Sequence, residues 1–131
     1  MTEHLPSDPV AAACLGRDAL EVAAAHQDAE DEPDHGQFYD YGRELVSMLT
    51  ALNHLTDTLA EQIAGYGTQR LLRDDTGTHP AVRLASAHGH LADLHASLTA
   101  AAGHANQFWS TIGHLDIDTE APEEHPPRRG V

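Results

Sequence analysis

Between Leu84 and Leu115, apolar residues recur at alternating steps of three and four: Leu84, Ala87, Leu91, Leu94, Leu98, Ala101, Ala105, Phe108, Ile112 and Leu115. This is the a/d spacing of a helix that buries one continuous seam along its length. An earlier stretch answers it in kind. Phe38, Tyr41, Leu45, Met48, Leu52, Leu55 and Leu59 hold the same register, and Tyr66 returns to it. Leu49 and Ile63 fall on a neighbouring position and widen that stripe beyond a two-stranded seam.

The spacing predicts helices over about 37–73 and 79–115, each roughly 55 Å long at 1.5 Å per residue. Gly65 and Gly67 offer an earlier stop. The longer course puts Arg70 and Arg73 in the last turn, where cations suit the helix dipole. Asp74-Asp75-Thr76-Gly77-Thr78 then makes the turn, with Gly77 as the left-handed exit. Thr78 or His79 caps the second helix, and Pro80 stands just inside it. Equal helices joined by a short loop form an antiparallel hairpin. A turn centred on Thr76 sets Ala101 and Ala105 against the region of Leu52 and Met48. It brings Phe108, Trp109 and Ile112 beside Phe38, Tyr41 and Leu45. Gly89 and Gly103 fall on the outer face, where each costs up to about 1 kcal/mol relative to Ala and blocks nothing.

Around the hairpin the pattern fades. Residues 1–36 read as an acidic segment with a marginal helix over about 9–26, capped by Ser7 or Asp8 and weakened by Gly16. A polar linker interrupted by Pro33 and Gly36 follows. Residues 116–131, with Pro122, Pro126 and Pro127, read as a disordered tail. The net charge of −14 gathers in these ends, which favours solubility and disfavours nucleic acid, whose binding needs a basic footprint. Every basic side chain apart from histidine is Arg, as a GC-rich bacterial genome would produce. Cys14 is the single cysteine, so no internal disulfide forms and a reducing compartment is expected. With no signal-peptide pattern and no apolar run near the roughly 18 residues of a membrane span, the expected location is cytoplasmic.

Chemistry is harder to find. No Walker loop, dinucleotide fingerprint, Gly-x-Ser-x-Gly or His-Glu-x-x-His occurs, so no enzyme activity and no cofactor are expected. Histidines are numerous in and beside the hairpin; His90 with Asp93 and His54 with Asp57 have the i, i+3 spacing of a metal pair, and neither comes with a third ligand. His88 and His95 share a side with Trp109, which suggests an assembly that weakens on acidification.

Trp109-Ser110-Thr111-Ile112-Gly113 invites one comparison. The small helical hairpins exported by type VII secretion resemble this chain in size and architecture. Their Trp-x-Gly stands in the inter-helix turn, whereas here the turn is Asp75-Thr76-Gly77 and Trp109 is near the end of the second helix. Their export pattern, Tyr followed four residues later by Asp or Glu, does not occur after Leu115. The resemblance is one of architecture, not of motif.

A lone hairpin buries one seam and leaves its flanks wet, so the chain is read as an all-α, coiled-coil-like hairpin that pairs into a four-helix bundle, with disordered acidic termini. The rival fold is a monomeric three-helix bundle with residues 10–26 laid over the flank. The expected function is non-enzymatic assembly, by homodimerisation or by docking on another helical protein, without nucleic acid or membrane. The residues expected to carry the interaction are Phe38, Tyr41, Leu49, Ile63, Trp109 and Ile112. The alternatives are an accessory or substrate hairpin of a secretion or mobile-element system, and a histidine-based metal-binding bundle.

Overall fold

The computed structural model describes residues 7–67 and 72–115, in which there are three helices and no strand. The tail over 116–131, the first six residues and Arg70 lie outside the described residues. The chain divides into two compact units between Asp34 and His35.

The first unit holds α1 (Pro9–Asp28). Its start follows from two residues: Pro9 needs no N–H partner in the first turn, and the Asp8 carboxylate accepts from the Val10 N–H at 3.0 Å. The stripe of Leu15, Ala19 and Val22 is too thin to make a core, and no residue of α1 is buried. Cys14 is a half-buried free thiol.

The second unit is an antiparallel hairpin of α2 (His35–Tyr66) and α3 (Pro80–Gly113), which pack against each other. Four cross-helix approaches give the register. Tyr39 meets Gly113, Gly42 meets Trp109, Asn53 meets Thr99 and Gly67 meets Leu84. Each pair is centred within half a residue of Thr76, so the expected turn position holds.

The end of α2 does not. The helix stops at Tyr66, not near residue 73, and no basic residue closes its last turn. Asp74 organises the turn that leads into α3. Its carboxylate accepts from the Thr76 N–H at 2.8 Å, the Thr78 N–H at 3.0 Å and the Thr76 hydroxyl, and such local bonds compete with helix. Arg83 reaches back from α3 to the same carboxylate at 2.6 Å and donates to Thr76 Oγ1 at 2.8 Å. Gly77 has φ +85, the left-handed conformation the turn requires. His79 caps α3 by accepting the Ala81 N–H on Nδ1 at 3.1 Å.

Candidate interaction surface

The seam of the hairpin is not the leucine stripe of α2. Its buried residues are Gly42 and Thr56, the latter 4% exposed, and they belong to a second repeat running beside the first. Gly42, Val46, Leu49, Asn53, Thr56, Ala60, Ile63 and Gly67 follow one another at alternating steps of four and three. Through the small and polar members of this repeat α3 comes close. A Cβ on Gly42 would lie 2.9 Å from both Cα and Cβ of Trp109, and one on Gly67 would lie 2.9 Å from Leu84 Cδ1. The polar members are satisfied within the seam. Thr56 donates to the Asn53 carbonyl at 2.8 Å, and Asn53 Nδ2 donates across the helices to Thr99 Oγ1 at 3.0 Å. Opposite them stand Leu84, Ala87, Leu91, Leu98, Ala105, Trp109 and Ile112, with Leu98 buried at 7% exposure.

The two stripes of α2 therefore exchange the parts expected from sequence. Leu49 and Ile63, read as spare flank positions, are half-buried in the seam, and so are Trp109 and Ile112 on α3. Phe38 and Tyr41 are half-buried near the open end. The ring that meets Trp109 is Tyr39, with centroids 5.7 Å apart and planes tilted by 53°. Meanwhile Leu45, Met48, Leu52, Leu55, Leu59 and Tyr66 remain 39–45% exposed.

These exposed residues form one face with their counterparts on α3. Leu52 and Leu59 stand four before and three after the buried Thr56, and Leu94 and Ala101 stand four before and three after the buried Leu98. In an antiparallel pair, equal angular offsets from the contact line put residues on the same side of the hairpin, because reversing one helix also reverses the direction in which its positions turn. Leu94 and Phe108, 43% and 40% exposed, thus extend the leucine face across α3. The opposite offsets lead to a polar face. There Thr50, Asn53, His54 and Asp57 of α2 line a shallow groove with His95 and Thr99 of α3. His88 and His95, expected beside the interface, are on this polar side.

Among the described residues no group of three or more metal-binding side chains comes together, and no helix is long and apolar enough to cross a membrane. The Asp74 carboxyl is held well below the usual carboxylate range by the Thr76 hydroxyl first and by Arg83 next. That cluster fastens the loop to the start of α3.

Comparison of the chain with protein families, curated proteins and solved structures finds no match to any of them. The reading of this protein therefore rests on its two-sided helix. A leucine stripe was visible in the sequence. The seam beside it was not, because Gly42, Asn53, Thr56, Ala60 and Gly67 carry no apolar signal, and the only clue was their 4–3 spacing.

Proposed function

We propose that the chain is a non-enzymatic helical assembly module whose working surface is the face built from Leu45, Met48, Leu52, Leu55 and Leu59 of α2 with Leu94 and Phe108 of α3. A pair of helices laid on this face would complete a four-helix bundle. The observation that carries the reading is the division of labour on α2: one 4–3 repeat is used up on α3, and a second, richer in large apolar side chains, is left over. Leu98 is the one apolar residue that the hairpin buries among the described residues. A core that small does not sustain an independent domain, whereas adding two helices would bury both repeats.

The test compares two surface variants of the full chain, Leu52→Glu/Leu59→Glu on the apolar face and Thr50→Glu/His54→Glu on the polar face. Association, with a second copy or with another helical protein, is read by light scattering and by co-purification. It should be lost in the first variant and kept in the second. Equal behaviour of the two variants and the unaltered chain would refute the reading.

A further inference from the structure

We infer that the occupant of the leucine face is a second copy of this chain, docked head to tail so that the two loops lie at opposite ends of the bundle. This rests on the reading of that face as the working surface. Three observations support it.

The size of the face is the first. With 32 residues in α2, the hairpin is about 48 Å long and two helices wide, a face of roughly 900 Å². A stable dimer buries about 800 Å² on each partner.

Symmetry is the second. In the observed register Leu52 and Ala101 stand on one rung, near the middle of α2. A two-fold axis at that rung pairs Leu52 with Leu52 of the partner subunit and Leu45 with the partner's Leu59. On α3 it pairs Leu94 with the partner's Phe108 and Ala101 with the partner's Ala101. Leu45, Leu52, Leu59, Leu94 and Phe108 each meet an apolar residue, and the two alanines at the axis admit close approach of the α3 helices.

Charge selects the orientation. The chain entering α2 at the open end is strongly acidic: residues 28–44 hold seven carboxylates against Arg43 alone. Around the loop, residues 61–83 hold three carboxylates and three arginines. Loops together would set two acidic ends side by side. Loops apart separate them by most of the length of the bundle, several times the Debye length of about 8–10 Å at ordinary salt, and set each acidic end beside a neutral one.

The experiment places single cysteines on the face in a Cys14→Ser background and oxidises the full-length protein in air, with its mass measured in parallel. A disulfide needs Cα atoms about 5.5–6 Å apart. Leu52→Cys should give a disulfide-linked dimer. Leu45→Cys alone should stay reduced, because its two copies would stand about 21 Å apart along the bundle. A mixture of Leu45→Cys and Leu59→Cys chains should cross-link. A mass of two chains with Leu52→Cys reduced, or with Leu45→Cys cross-linked to itself, overturns the head-to-tail arrangement and leaves the working surface intact. A mass of one chain overturns the second copy as occupant. The Leu52→Glu/Leu59→Glu comparison then decides separately whether the face binds another helical protein or none.

Discussion

Replacing Gly42 by Ala tests the close approach on which the assignment of faces depends. In the interior of an exposed helix Gly→Ala gains about 1 kcal/mol of propensity. At Gly42 the new methyl would stand 2.9 Å from the Cα and Cβ of Trp109 and 3.2 Å from its Cδ1. Carbon atoms settle at about 3.5–4.0 Å, so the overlap is roughly 0.6–1 Å, and two of the three atoms cannot swing away. Overpacking of this kind costs about 1–3 kcal/mol, which leaves a net loss of up to about 2 kcal/mol after the propensity gain. Gly103 provides the control, because nothing lies within 4 Å of a Cβ built there. Gly103→Ala should raise stability by about 0.5–1 kcal/mol. The two variants should therefore differ by about 1–3 kcal/mol, which at 4–8 °C per kcal/mol for a domain of this size separates their melting temperatures by roughly 5–20 °C. Circular dichroism melts at matched protein concentration read the difference, with concentration fixed because association shifts the midpoint. If Gly42→Ala raised the midpoint as much as Gly103→Ala, Trp109 would not pack on Gly42, and the leucine stripe would return to the seam.

Three further outcomes follow from the same geometry. Leu98→Ala removes the buried apolar residue of the seam and should cost about 2–4 kcal/mol in chemical denaturation, while an effect within about 0.5 kcal/mol would place Leu98 outside it. Asp74 is depressed relative to the unfolded chain, so its stabilising contribution is full above the ordinary carboxylate range and is lost as the pH falls through its folded value. Asp74→Asn should lower the melting temperature at neutral pH and flatten its decline on acidification, and an unchanged acid profile would remove Asp74 from the loop. Met48 lies on the leucine face, so a covering partner should slow its oxidation by peroxide well below that of a free methionine peptide, and Leu52→Glu/Leu59→Glu should restore the rate. A rate in the unaltered protein equal to that of the peptide would mean that the face is bare.

Much of the fold could be read from periodicity. The stripe from Leu84 to Ile112 located α3, although Leu94 and Phe108 within it face outward with the leucines of α2, and Pro80 and Gly77 marked its start and the turn before it. The register about Thr76 followed from the equal lengths of the two stripes. What periodicity could not supply was the choice of face on α2. Apolar spacing finds the side of a helix that is to be covered, without saying whether a neighbour in the same chain or another molecule covers it. Leu45, Leu52 and Leu59 gave the louder signal and were assigned to the nearer partner. The seam is instead built from residues that let backbones approach, Gly42 and Gly67 above all, and such residues look unremarkable in a hydrophobic pattern. The end of α2 is not legible in periodicity either: the helix stops at Tyr66, between Gly65 and Gly67, although Arg73 suits a helix terminus. The Asp74 carboxylate gathers the Thr76 and Thr78 N–H groups into the turn before α3, a local arrangement that helix periodicity does not register.

The most direct test of the central claim is the solution mass of the full chain at micromolar concentration, measured by light scattering beside that of Leu52→Glu/Leu59→Glu. The account predicts two chains for the unaltered protein and one for the variant. One chain for both would contradict self-association through the leucine face.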